Sequence, residues 1–140
     1  MAVASGWIYS TLFNDATLDS ILPGIKNRIY NTILDESQTV YPVIVFNLQS
    51  APETFRTLNF ITIWAQMLYQ VKVISKEQSF SEIYALANRI DVLLDRAQGT
   101  TSEGQVFFSI REYPIEYAEY DEKAGILFQH AGAIYRLATK

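Results

Sequence analysis

Apolar and polar positions change their period several times along the 140-residue chain, and each change marks a candidate element. Trp7, Ile8, Leu12 and Phe13 recur at helical spacing after Ser5, a candidate N-cap. Asn14 and Asp15 interrupt that run, and Asp15 is positioned to cap a second short turn carrying Leu18, Ile21 and Leu22. Pro23-Gly24 stops any helix. Residues 25–30 read as a short extended piece, followed by the polar loop Asp35-Glu36-Ser37-Gln38. After Tyr41-Pro42 the β-formers Val43, Ile44, Val45 and Phe46 predict a strand, with proline at its start and Ala51-Pro52 at its end.

Residues 60–75 alternate over sixteen positions. The odd ones are Ile61, Ile63, Ala65, Met67, Tyr69, Val71 and Val73, and the even ones are mixed. That period predicts a strand with one firmly buried face. Its length, roughly 50 Å if straight, requires a bend, a bulge or an arm projecting beyond the body. Phe60 and Trp64, on the less buried side, fit either an arm or packing under the N-terminal helix.

A helix over about 79–97 follows. Ser79 and Glu82 form a capping box, and Phe80, Ile83, Ala87, Ile90, Leu93, Leu94 and Ala97 form one stripe that Gly99 is positioned to end. Residues 106–117 and 125–137 read as two strands joined by a turn at Gly125, a hairpin. Pro114 points to an edge or a bulge, and Gly132 to a bulge or a close backbone approach. The order predicts one α+β domain over 1–140. Its mainly antiparallel sheet is packed on one face by a single long helix and the N-terminal helices.

Composition narrows the function. Eleven Lys and Arg against fifteen Asp and Glu give a net charge of −4, the wrong sign for a broad phosphate-binding face. The absence of cysteine excludes disulfides, thiolate zinc sites and cysteine nucleophiles, and the single His130 excludes multi-histidine metal sites. No apolar run approaches the about 18 residues of a membrane span, and the start of the chain has no basic signal region. The chain therefore reads as a soluble, cytoplasmic product. Aromatic residues make up 14%, more than a core of this size absorbs easily, and surplus aromatics suit a surface that another chain covers.

Candidate chemistry is sparse. The six glycines form no phosphate-binding cluster, and no HExxH or GxSxG motif is present. Glu112, Glu116, Glu119, Asp121 and Glu122 are the densest carboxylates, but alternation with Tyr113, Ile115 and Tyr117 reads as a solvated strand face. His130 reads as a histidine bonded within the sheet. Asp91 and Asp95, flanked by Arg89 and Arg96, read as surface ion pairs on the helix's outer side. No catalytic residue, cofactor or metal is expected.

Six segments, GWIYSTLF, IKNRIYN, YPVIVFNL, YQVKVIS, SFSEIYALANRIDVLLD and GILFQHAGAIYRL, hold 60 of the 140 residues and are spread from Gly6 to Leu137. In this order the chain resembles the tail terminator, or tail completion, proteins of long-tailed bacteriophages. The resemblance implies a virion protein, assembled in the host cytoplasm, that forms a homohexameric ring at the head-proximal end of the tail. Such a ring stops tail growth and offers the surface for head joining. Implied partners are further copies of itself, the tail tube protein and a head–tail connector, with DNA passing through unbound and no membrane involved. On that reading Phe55, Arg56, Phe60, Trp64 and Leu68 are candidate interface residues. Glu112, Glu116 and Glu119 are candidates for an acidic lumen wall that repels DNA. The alternatives are a head–tail connector or neck subunit and, from another class, a small ligand-binding α+β domain.

Overall fold

The structure, a computed structural model, describes residues 2–32, 40–50, 52–59, 62–76 and 81–140, giving only the backbone of Thr62, Ile63 and Glu82. The expected loop at 35–38, the Ser79–Glu82 capping box, Phe80 and the candidate Phe60 lie outside that description. Helices α1 (Ala2–Phe13) and α2 (Ala16–Ile21) come first, then a single 3-10 turn (Ile25–Asn27). Strands β1 (Ile29–Asn31), β2 (Val43–Leu48), β3 (Glu53–Arg56) and β4 (Thr62–Ser75) follow. Helix α3 (Ser81–Leu94) precedes β5 (Ala97–Thr101), β6 (Gly104–Asp121) and β7 (Ile126–Thr139). Among the described residues strand outweighs helix, 51% against 28%, so a curled sheet dominates an α+β fold.

The sheet order is β1-β2-β4-β7-β6-β5, with β3 also on β4. Among the described residues only β1 and β2 run parallel. The 60–75 alternation emerges as a central strand and not as a free arm. From Ala65 to Ser75, β4 is bonded to β7, and its other edge carries β2 and β3 in succession. Met67, Tyr69, Val71 and Val73 enter the core shared with Trp7, Ile8, Leu12, Ile83, Leu86, Ile90 and Leu94. All three helices therefore cover one face. Val43, Val45 and Ile74 form a small second cluster on the other, packed by Tyr30, Tyr41 and Phe128.

The expected single long helix is not what forms. Helix α3 has 14 residues and α1 has 12, so two helices of similar length share the face. The last turn of α3 is drawn off early because the Asp95 carboxylate accepts the Arg111 backbone N–H at 2.8 Å. Arg96 then takes a left-handed φ of 56°. Gly99 does not end the helix. It lies in β5, where a Cβ would come within 2.2 Å of Trp7 Nε1, so the glycine admits the indole. Ser5 lies inside α1 and does not cap it, its Oγ donating to Ala2 O. Residues 25–30 divide between the 3-10 turn and β1.

Other expectations held. Asp15 caps α2, accepting the Leu18 N–H at 2.8 Å. Strands β6 and β7 form a hairpin closed by Gly125 at φ 67°. Pro114 follows the β6 irregularity between Arg111 and Tyr113, on a stretch with no outer strand among the described residues. Gly132 is a close approach, since a Cβ there would sit 2.1 Å from Val71 O.

Candidate functional site

Three features distinguish the face and edges that the helices leave uncovered. The first is built where β3 meets β4. Register continues from β2 to β3 along one edge of β4, but Leu48 pairs with Tyr69 and Glu53 with Gln66, so the outer chain carries two extra residues across the break. Leu68 holds that break together. Its carbonyl accepts the Gln49 N–H at 2.8 Å and its N–H donates to Ser50 Oγ at 3.3 Å. Beyond the break Phe55 packs against Trp64 with ring centroids 5.1 Å apart and planes tilted by 35°. Trp64, Gln66, Phe107, Phe108 and Ala138 line an apolar dish there. The indole Nε1–H is shielded without an acceptor among the described residues. Trp64 does not pack under the N-terminal helix, because it has the parity of Ile74 and faces away from all helices. Phe55 and Arg56 are exposed, and Leu58, just after β3, is 99% exposed.

The second feature is the β6–β7 hairpin. Strand β5 pairs β6 only as far as Ser109, so residues 110–121 present an edge with no outer strand among the described residues. Residues on that stretch are almost all exposed, including Tyr113 at 54% and Tyr120 at 61%. By register Ile110, Tyr113 and Tyr117 stand on the helix-free face, opposite Arg136, Ile134 and His130. Exposure is concentrated on this hairpin, for which the sequence suggested a solvated face and the acidic lumen candidates but no interface. The signal was there in Tyr113, Tyr117 and Tyr120 recurring among the glutamates around a proline.

The acidic candidates do not share a wall. Glu112 pairs with Arg136, and Glu119 stands 3.2 Å from His130 Nε2, both on the helix-free face. Glu116 points the other way and accepts from the Tyr84 hydroxyl of α3. The irregularity at Arg111/Tyr113 shifts parity, which defeats a simple alternating assignment.

The third feature is the set around His130, which is 4% exposed. Tyr117 stacks on its ring at 4.3 Å and 11°, and Lys72 donates to the Tyr117 hydroxyl at 2.8 Å. Burial, then the Lys72 charge, pushes the imidazole pKa down to about 4 against the opposing pull of Glu119, so the ring is neutral at neutral pH. Its face is covered by Tyr117 and Nδ1 meets no partner among the described residues. The group is packed into the sheet, as the sequence suggested, and offers no open acid–base pair.

On the helix side, Asp91 does not stand on an outer surface. It accepts from the buried Tyr135 hydroxyl at 2.9 Å and pairs with Arg111 at 3.3 Å, tying α3 to the hairpin. Burial and then the Asp91 charge push the tyrosine pKa up. Arg89 reaches Asp15 in α2, and only Arg96 remains a surface partner of Asp95. Among the described residues no cluster of three or more His, Cys, Asp or Glu could hold a metal ion. Among them, too, no helix is long and apolar enough to cross a membrane.

No protein-family profile and no curated protein sequence matches the chain. Among solved structures, 14 chains do. One belongs to the virion of a native gene transfer agent particle. It superposes with a TM-score of 0.68 at 16% identity, covering 95% of this chain and 92% of that chain. The two share a fold. The likeness takes in helices, sheet and hairpin together, since almost the full length of each chain is matched.

Proposed function

We propose that the chain is a structural protein of a phage-like virion, acting as one domain over 1–140. In this reading copies close into a ring, a hexamer, at the head-proximal end of the tail tube. The ring terminates tail growth and offers the surface to which the head joins. The supporting observation is the near full-length fold match to a chain of a gene transfer agent virion, which agrees with the resemblance to tail terminators read from the segments. A ring subunit needs a rigid body and unlike lateral surfaces, and no nucleophile, cofactor or metal. The apolar dish lined by Trp64, Phe107 and Phe108, with Phe55 against the Trp64 ring, Leu68 and Arg56 on the same pair of strands and Phe60 in the same segment, serves one lateral contact. Partners are the tail tube protein and a neck protein, and DNA crosses the lumen without specific binding. Of the acidic candidates Glu112, Glu116 and Glu119, only Glu112 and Glu119 share a face and can contribute negative charge to one lumen wall, muted by Arg136 and His130 beside them, while Glu116 turns to Tyr84 on the other face.

Deleting the gene from its particle separates this role from its neighbour in the same class. Overlong tails are the expected outcome. Tailless, leaking heads would instead assign the chain to the connector, and normal particles would remove it from the virion.

A further inference from the structure

A closed ring of identical copies requires two different, mutually complementary patches on each copy. Resting on the ring reading above, we propose that the free edge of β6 over 110–121 receives the β3 edge of the next copy of this chain, so that the sheet continues from subunit to subunit. Neither edge has an outer strand among the described residues: β3 pairs only with β4, and β6 beyond Ser109 pairs only with β7, with the Arg111 N–H already taken by Asp95. They lie on opposite borders of the sheet and toward opposite ends of its strands, the arrangement that a head-to-tail contact needs.

The occupant follows from complementarity. Along the hairpin stand Glu112, Glu116, Glu119, Asp121 and Glu122 against Arg111 and Lys123. On β3 itself the exposed Arg56 makes no ion pair among the described residues, and the strand's other charge, Glu53, stands at its opposite end, so the complementarity is local to Arg56. Each patch also carries uncovered apolar side chains: Phe55 and Leu58 on one, Ile110, Tyr113 and Tyr120 on the other. An edge with this much exposed aromatic surface is a template for strand addition. Pro114 lacks an N–H, so the added strand gains its main-chain bonds on either side of that residue.

The natural absence of cysteine makes the test direct. Thr54→Cys on β3 and Ala118→Cys on β6 introduce thiols at exposed positions on small residues. A short bismaleimide applied to the doubly substituted full-length chain should give a covalent ladder that ends in one closed species. An equimolar mixture of the two single variants should stop at a heterodimer. Tyr113→Ala should lower the association constant about tenfold with an unchanged far-UV circular dichroism spectrum. Arg56→Glu should do the same. Self-cross-linking of either single variant would mean like edges meet and would overturn the proposal. A ring seen by native mass spectrometry without the Thr54→Cys/Ala118→Cys link overturns this interface and leaves the ring standing. A chain that stays monomeric to millimolar concentration overturns both.

Discussion

Gly132 shows how a single missing side chain shapes the sheet. Its α-carbon faces Val71 O and Lys72 Cα so closely that a methyl group would lie 2.1 and 2.6 Å from them. Both are backbone atoms, which do not rotate aside. Gly132→Ala should therefore destabilise by about 3 kcal/mol or more, against about 1 for an ordinary overpacked site, read from the urea midpoint. Its neighbour His130 makes a pH-dependent contribution. The imidazole titrates near 6.5 when unfolded and at about 4 in place, with Lys72, Glu119 and Tyr117 facing it. Its stabilising contribution is complete above pH 6.5 and is lost as pH falls toward 4, amounting to about 3 kcal/mol at most. Unfolding of His130→Gln measured across that window should lose this slope. An unchanged slope would assign the dependence elsewhere. The single histidine was legible in the sequence as a residue packed into the last strand, although its Nδ1 is buried without the expected hydrogen bond among the described residues. Its covering by Tyr117 was not, because contact between strands depends on a register set by irregularities in β6.

At the level of elements, local chemistry was readable wherever neighbours in sequence are also neighbours in space. Asp15 capping α2 is such a case, as are the hairpin turn at Gly125 and the stripe of α3. The pairings of the charged residues on α3 were not, since they depend on which element lies alongside. Arg89 turns to Asp15 and Asp91 to Arg111 and Tyr135, so residues read as solvated surface in fact hold α2 and the hairpin against α3. The hydrogen bonds from Arg89 hold the Asp15 carboxyl below its usual range. Asp15→Ala removes both the cap and a half-buried ion pair and should cost about 1–2 kcal/mol by thermal unfolding. Asp15→Asn keeps part of the cap and should cost less. Equal losses for the two would mean that the charge pair with Arg89 outweighs the cap. The end of α3 was misplaced for the same reason as its partners. A distant backbone N–H at Arg111 competes for Asp95 and pulls the chain out of the helix.

At the scale of the whole molecule, alternation in the sequence identified the central strand and its buried face, but periodicity alone is blind to what lies on a strand's edges. That is why an interface element was sought in β4, while exposure is concentrated on β6 and β7. Trp64, half-buried beside Phe55 and outside the helix-covered core, should matter more to assembly than to folding. Trp64→Ala is expected to weaken association by tenfold or more while far-UV circular dichroism stays native. Normal assembly of a folded Trp64→Ala subunit would sink that assignment.

A subunit with two unlike sticky borders is, in polymer terms, a bifunctional monomer, and nothing in the borders themselves tells it when to stop adding. Closure is a matter of angle. In the ring proposed above, the curl of the sheet, whose strands β4 and β7 approach closely at Gly132, would fix how far each addition turns relative to the last. The chemistry of the edges then governs how strongly copies join, while the pitch of the sheet between them governs how many. A change that relaxes the crowding without unfolding the chain should thus leave the strength of the contact intact and alter the count, giving wider closed rings or an open spiral.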